Sequence, residues 1–489
     1  MSETGYIGTD FVTVNLDKPF NDPVIGEKRD KIVLAWGDKI EKLGYDKQKK
    51  VTRVRLSGRS TGTLEGTVKK DLKLEKKGIL KLSMVDVQQG DGLILETPDG
   101  KIIFIDGGDN QLFARYAAYR YSCHDKNNPL IIDAIVTTHG DADHFMGLTE
   151  IVNSETNKKR RKRLFLFPRR IYHSGIVKGA SKLAYDKIFG QTIYYNNKEY
   201  IIGLEDDLRN VNKMRMNTMF QKWVQTITHW STFKPDNNDI EMKRLRYGDA
   251  DFSKFIDPEI KIDVYGPITQ DVQYNGKTVD GLPFLPEETK ASDILTDNRS
   301  FKPSVSRTIN GHSVVLKIEM ENVRMLLTGD MNRDSMKTLL SKIKKENLEA
   351  EVIKVAHHGS SDFDADAIKA MNPLVWLISS GDESARKEYI HPRADLMNSL
   401  GRASRQEGAV IFCTELAAFF EWMGFSVTGD KKKKGYYGFR KKIYGIIHVR
   451  TDGKRLLVFS HSGKEDLKEA YSYEVDKNHN VTKRAITKQ

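Results

Sequence analysis

Apolar residues along this chain gather in short runs broken by Gly, Asp and Asn, and few stretches carry helical spacing. From residue 79 the pattern is sharp. ILKLSMVDVQ followed by GLILETPDGKIIFIDGG predicts strand, strand, Pro-Asp-Gly turn, strand. A helical stretch near 111–122 precedes LIIDAIVTTHGDADH, in which Ile131 to Val136 reads as a buried strand delivering His139 to its C-terminal end. Residues 314–330 predict a further pair, VVLKIEM and VRMLLTGD, and EVIKVAHHG and PLVWLISSG repeat the step from strand to polar loop. Strands that end in His, Asp or Gly-rich loops are where active sites of layered α/β folds collect.

The flanks read differently. Residues 1–27 carry Pro19, Asn21, Asp22 and Pro23 with no periodicity, which predicts a polar tail. Residues 28–76 hold KIVLAWGDKIEKL, VTRVRLSG and TGTLEGTVKK, short strands between Gly and Asp turns, and resemble a small SH3-like β-barrel. Residues 152–257 open on KKRRKR and continue through MNTMFQKWVQTITHW, a partly helical insertion in the 79–425 unit. Residues 426–489 predict a basic β extension with a hairpin at Asp452-Gly453.

Composition narrows the class. With 39% hydrophobic and 30% charged residues the chain can bury a core, and 489 residues allow about three domains. Cys123 and Cys413 are too few for a disulfide framework and lack zinc spacing, so any metal is held by His and carboxylate. No run is long and apolar enough for a membrane span, and MSETGYIGTDF lacks a signal-peptide pattern. The expectation is a cytoplasmic protein with no membrane association. The net charge of +12 suits an anionic partner.

The strongest local signal is His139-Gly-Asp141-Ala-Asp143-His144, with four potential ligands crowded after one strand. Carboxylates and imidazoles packed so closely call for a cation between them, and a divalent metal pair meets that need. A polar surface loop is the bland alternative. Asp330 after VRMLLTG, His357 and His358 after EVIKVA, and His391 before Pro392 weigh against it, since every one follows a strand.

These motifs resemble the metallo-β-lactamase superfamily. HGDADH looks like its HxHxDH signature, with Asp141 in place of the second His. MVDVQQGDGLILETPDGKIIFIDGG, INGHSVVLKI, LLTGDM, VAHHGSS and the final His-Pro are similar to the branch containing the hydrolase domain of the DNA-uptake protein ComEC. The resemblance spans residues 79–151 and about 258–425. It implies an α/β (α+β) fold, an αββα sandwich of two mixed sheets with helices outside. It also implies two divalent ions, zinc or manganese: His139 and Asp141 at one, Asp143 and His144 at the other, Asp330 bridging, and His358 with His357 completing a shell. Two departures stand out: the Asp141 substitution, and the absence of a third-motif His, for which His312 is the nearby candidate beside Asn310 and Ser313.

The chemistry expected is metal-dependent phosphodiester hydrolysis, with a nuclease favoured. Two ions about 3.5–4 Å apart would generate hydroxide near neutral pH. Asp143 and His391 are the candidate catalytic residues, His391 as ligand, acid or electrostatic aid, and His173 is a second, weaker acid candidate. Lys158, Lys159, Arg160, Arg161, Lys162 and Arg163, with Lys431, Lys432, Lys433 and Lys434, lie near aromatics and suit nucleic acid, though a solvated face explains either run alone. Alternatives are a small-ester hydrolase (cyclic nucleotide, thioester or lactone) and a binding protein with a structural metal. Analogy adds a possible protein partner in DNA processing or defence. The insertion is expected beside the metal site, shaping substrate access.

Overall fold

The computed structural model describes residues 2–21, 28–59, 62–121, 124–180, 188–287, 303–381, 391–406, 408–427, 433–461 and 467–489. Two sheets dominate it. The first runs in the order Glu241–Arg244, Arg170–His173, Ala134–Thr137, Ile102–Asp106, Gly92–Glu96, Leu80–Met84, Ile446–Thr451, Arg455–His461, Leu467–Val475 and Val481–Arg484. The second runs Ile260–Gly266, Val315–Met320, Val323–Leu327, Val352–Lys354, Val375–Ile378 and Val410–Cys413. Both mix parallel and antiparallel pairs.

Strand alternation builds the layers. Leu93, Leu95, Ile103 and Ile105 point between the sheets and meet Leu316, Ile318, Met325 and Leu327. Their neighbours Ile94 and Phe104 point the other way, under helices Leu112–Arg120, Ala142–Ser154 and Thr218–Trp230. On the far side Leu326, Ile353 and Trp376 lie under helices Arg333–Lys342, Ala365–Met371 and Ala394–Ala403. The result is the expected αββα sandwich. Its central strands are apolar on both faces because both faces are covered.

The parallel strands put their C-terminal ends on one rim. Ile105 pairs with Val136, and Val136 with Tyr172. In the facing sheet Leu327 pairs with Lys354, and Lys354 with Leu377. The residues just beyond these ends form the candidate site.

The flanks differ from the sequence expectation. Residues 3–7 and 11–21 are strands, not a tail, and join a seven-stranded antiparallel sheet that ends at Leu74–Glu75. Val12 and Val14 are fully buried, so the period-two pattern wins over the scattered Pro and Asn. The unit therefore begins well before residue 28. It is stitched to the sandwich by Phe11 against Phe459, by Arg455 on Asp10, and by backbone bonds from the Phe11 N–H to the Thr487 carbonyl and from the Gln489 N–H to the Phe11 carbonyl.

The 152–257 insertion is likewise only partly an insertion, because Arg170–His173 and Glu241–Arg244 are strands of the first sheet. The hairpin at Asp452-Gly453 forms as expected. It does not extend the core but completes it, with Ile446–Thr451 paired to Leu80–Met84.

Away from the rim, at the start of the second sheet, buried Glu351 accepts from Arg324 at 2.8 and 3.1 Å and from Arg405 at 2.9 Å. Glu351→Ala leaves two guanidiniums without their carboxylate and is expected to remove about 3–5 kcal/mol of stability. Urea unfolding checks this, and an unchanged midpoint would refute it.

Candidate metal centre

Strand Ala134–Thr137 hands the chain to Thr138 and His139, and Asp141 occupies the N-cap of helix Ala142–Ser154. Asp143 and His144 follow in its first turn, where the positive end of the helix favours anions. Asp106, at the end of its own strand, has φ of +55° and turns its carboxylate inward. It accepts from the Thr138 N–H (2.8 Å) and hydroxyl (2.6 Å), and lies 2.8 Å from His144 Nδ1. A carboxylate behind an imidazole fixes its tautomer and aims the other nitrogen. His144 Nε2 is thereby aimed at Asp330, 3.2 Å from its Oδ2.

Asp330 is the centre of the cluster. The same Oδ2 lies 3.2 Å from His358 Nε2, and Asp143 Oδ2 lies 3.8 Å from His144 Nε2 and 3.7 Å from His358 Nε2. His139 packs beside them, its ring centroid 4.0 Å from that of His144. Donor atoms of His139, His144 and Asp330 fall within 4.8 Å of one another, as do those of Asp143, His144 and His358. Among the described residues, buried atoms of the cluster without a hydrogen-bond partner include His139 Nε2, Asp91 Oδ1, Asp330 Oδ1 and both His358 ring nitrogens. Orphaned, desolvated donors of both kinds, converging on one point, fit a divalent cation.

Electrostatics says the same. Burial alone would raise the Asp330 carboxyl, but His358 and His144 hold it well below its ordinary range. Burial likewise opposes charge on His144 and His358. Asp330, with Asp106 beside His144 and Asp91 beside His358, pushes both imidazoles well above the ordinary value. Protons on these rings balance the carboxylates where a metal would.

Three contributors were not among the residues singled out from sequence. Asp106 is one. Asp91 is another, with its Oδ1 3.5 Å from His358 Nδ1. The third is Lys354, fully buried, which pairs with Asp91, lies 3.6 Å from Asp330 Oδ1 and donates to the Gly329 carbonyl at 2.9 Å. The signals were present: GDG ahead of a buried strand, Asp at the end of IIFID, and a lysine inside the apolar strand EVIKVA. Gly90 is obligatory here. Its φ is +90°, and a Cβ would stand 1.7 Å from the Asp143 carbonyl oxygen.

Other residues expected at the site sit around it. Asp141 pairs with Lys178, and the Asn310 amide, oriented to satisfy both neighbours, links Asp141 (3.1 Å) to His357 Nε2 (3.3 Å). Neither Asp141 nor His357 belongs to a converging donor group among the described residues. His391 is buried, its ring centroid 6.2 Å from that of His357. Burial, then His358 and His357, pull it down to about 4, so it stands neutral at pH 7.

His312 does not fill the third-motif position. It follows helix Val305–Gly311 and its Nε2 lies 2.7 Å from the Pro283 carbonyl. Ser313 faces the cluster instead, accepting from the Asp330 N–H at 3.0 Å and lying 3.3 Å from His139 Nδ1. His173 uses both nitrogens on backbone, Gly175 N–H and the Asp206 carbonyl, which is a structural role rather than an acid's.

The run Lys158–Arg163 begins past the far end of helix Ala142–Ser154, about 20 Å along it from the cluster. Lys431 and Lys432 lie outside the described residues. Lys433 and Lys434 are on strand Lys433–Ile443, with backbone paired to Val427 and Ser426. The segment after strand Arg170–His173 lies against the ligand loop, since Ile176 and Lys178 flank Gly140.

Facing mixed sheets, outer helices and a His/Asp cluster on the strand-end rim form an αββα sandwich, the arrangement that the sequence resemblance implies. No family model matches this chain. It is similar to ComE operon protein 3 of Bacillus subtilis (strain 168), with 30% identity over 96 residues. That match covers 19% of this chain and only 12% of the relative's length. Among solved structures it is similar to Tm1679, described as a metal-dependent hydrolase of the beta-lactamase superfamily (10% identity, TM-score 0.31, 68% of this chain and 95% of that one). It is also similar to unliganded yeast PDE1 (9%, 0.32, 68% and 97%) and to Zn(2+)-bound PqqB from Methylobacterium extorquens (8%, 0.33, 68% and 97%).

Two outcomes follow for the metal-free protein. Divalent-ion binding at pH 7 is expected to release protons from His144 and His358, so affinity rises with pH. Calorimetric titration in buffers of different ionisation enthalpy checks this, and buffer-independent heats would contradict it. The stability these raised imidazoles contribute is complete below their ordinary value of about 6.5 and is lost as pH rises through their folded values. The metal-free melting temperature should therefore fall on the alkaline side more steeply than that of a His144→Gln variant.

Proposed function

We propose that this chain is a metal-dependent phosphodiester hydrolase acting on nucleic acid. The observation that carries the reading is the buried convergence of His139, Asp143, His144, Asp330 and His358 with unpartnered donor atoms at the strand-end rim. These residues would hold the ions, and the carboxylate share favours hard divalent metals, manganese competing with zinc. A bound ion supplies Lewis acidity toward a phosphoryl oxygen and acidifies water.

The chain's own residues supply the rest. Asp106 holds His144 in the tautomer whose Nε2 faces the cluster. Burial opposes charge on Asp91, and the Lys354 ammonium beside it holds that carboxyl down. Lys178, partly exposed beside Asp141, offers an ammonium to a substrate phosphate. His391, neutral at pH 7, acts as a hydrogen-bond donor to the scissile group, and the leaving oxygen takes its proton from water. The net charge of +12 and the exposed Lys158–Arg163 run support a polyanionic substrate. The separation of that run from the cluster favours a small diester as the second reading. A protein partner in DNA processing or defence belongs to the same proposal.

The test is cleavage of labelled single- and double-stranded DNA and RNA with Mn²⁺, Zn²⁺, Mg²⁺ or EDTA. Asp143→Ala is expected to lower turnover about a thousandfold, the equivalent of ~4 kcal/mol, while the protein stays folded. Retained turnover in that variant would overturn the mechanism. Neutralising Lys158–Arg163 is expected to raise KM for a polynucleotide and flatten its salt dependence. An unchanged KM, with bis-p-nitrophenyl phosphate hydrolysed, would move the assignment to a small diester.

A further inference from the structure

A cavity of about 470 Å³ lies outside the metal centre. It opens on the outer face of the first sheet, between the N-terminal sheet, helix Leu112–Arg120 and the turn Arg160–Lys162. Its volume is that of a small-molecule site. Val85 and Asp86 line it, and the same loop carries on to Asp91 of the metal cluster.

The floor departs from the rest of that sheet face. Elsewhere the outward residues are apolar, such as Ile94, Phe104 and Ile135. Here cross-strand neighbours are polar: Lys81 opposite Glu96 and Arg450, and Ser83 opposite His448. Two ion pairs account for part of the charge, Arg120 with Glu96 (2.8 Å) and Arg450 with Asp38 (3.0 Å). Lys81 makes no ion pair or side-chain hydrogen bond among the described residues. Burial, with the Arg120 and Arg450 guanidiniums, pulls its ammonium down to about 8 despite Glu96 and Asp38.

The mouth is also basic. Arg115 and Arg161 are exposed there beside Lys162, whose ammonium is lowered by desolvation and then by Arg115, Lys159 and Arg161. In all, seven cationic side chains line the cavity against three carboxylates. Between floor and mouth the walls are aromatic and apolar: Phe11, Phe20, Tyr116 and Tyr119. Excess positive charge around an aromatic-walled cavity matches a planar base carrying a phosphate.

We propose that this cavity is a second binding site, for a mononucleotide unit, either free or at the end of a nucleic-acid strand. The phosphate meets Arg115, Arg161 and Lys162, the base packs on the tyrosine-bearing face of the helix, and Lys81 reads the polar edge, beside a Ser83 hydroxyl already held 2.9 Å from His448 Nδ1. The assignment rests on the cavity's own chemistry and does not require the hydrolase reading.

Calorimetric titration of the full chain in EDTA, at low and moderate salt, tests it with adenosine and thymidine monophosphates and with a short 5′-phosphorylated oligothymidylate. At least one arm is expected to bind. Binding of the monophosphate assigns a free nucleotide, and binding of the oligonucleotide alone assigns a strand end. The double variant R161E/K162E, on exposed and half-buried positions, is expected to weaken binding about tenfold or more. Lys81→Met should weaken it as well, and a melting midpoint for each variant verifies folding. No binding in either arm, or wild-type affinity in both folded variants, would overturn the proposal. Wild-type hydrolysis of bis-p-nitrophenyl phosphate is read separately. Its absence would count against the hydrolase alone and leave this site standing.

Discussion

An ionised Asp330 buried between two imidazoles, with one oxygen 3.2 Å from each, is the constraint around which the rim is organised. A lone carboxylate at that depth would carry a desolvation penalty of several kcal/mol. Here it is offset from three directions, by His144 from the first sheet's side and by His358 and Lys354 from the second. The two sheets must therefore meet at one height, and the register of their parallel strands ensures it. The same carboxylates that raise the His144 and His358 imidazoles would face a divalent ion held at these residues. The candidate metal centre and the local stability thus draw on the same few contacts.

Backbone geometry holds those contacts in place. Asp106, His357 and His358 all have positive φ, a conformation that β-carbon-bearing residues adopt at a cost of about 1–3 kcal/mol. In each case the unusual backbone turns a side chain into the cluster or its surroundings. Gly329, at φ +52°, packs so closely that a Cβ would lie 2.7 Å from Ser313 Cβ, which brings the Ser313 hydroxyl onto the Asp330 N–H. Ser313 thus seats Asp330 and steers His139.

How much of this was legible in the sequence depended on whether a signal was local. HGDADH, Gly329-Asp330 and His357-His358 stood out because ligand-type residues directly follow buried strands, yet of these the structure converges His139, Asp143, His144, Asp330 and His358 and leaves Asp141 and His357 outside the donor groups. The sandwich could be read because its strands are apolar runs between turns. Asp91, Asp106 and Lys354 were harder. Each is a single charge in an apolar context, and its meaning depends on a partner far away in the chain, as Lys354 and Asp91 show. The strand over residues 11–21 does carry period-two alternation, Val12, Val14 and Leu16 between Thr13, Asn15 and Asp17, but Pro19, Asn21, Asp22 and Pro23 close behind it pull the reading toward a polar tail. Arg170–His173 was hidden by the neighbouring basic run. The Asp452-Gly453 hairpin was visible as a hairpin, but its pairing with Leu80–Met84 joins residues more than 360 positions apart, and no local pattern encodes that.

The N-terminal sheet completes the first sheet's outer face in a way the helices cannot. Helices Leu112–Arg120 and Ala142–Ser154 cover an apolar stretch, where Phe104 and Phe113 meet edge to face at 5.2 Å. Beyond them the face turns polar at Lys81, Ser83, Glu96, His448 and Arg450, and an amphipathic helix laid there would bury charges without partners. The N-terminal sheet instead brings its own carboxylate, Asp38, to Arg450, and accepts the same guanidinium on the Trp36 carbonyl. It also places Phe11 and Trp36 on the apolar remainder, next to Phe459 and Leu457. The contact is thus apolar at one end and ionic at the other, which fixes the orientation of the unit as well as its attachment. That orientation leaves the polar floor roofed but not filled, with the loop toward Asp91 running from its edge to the metal cluster.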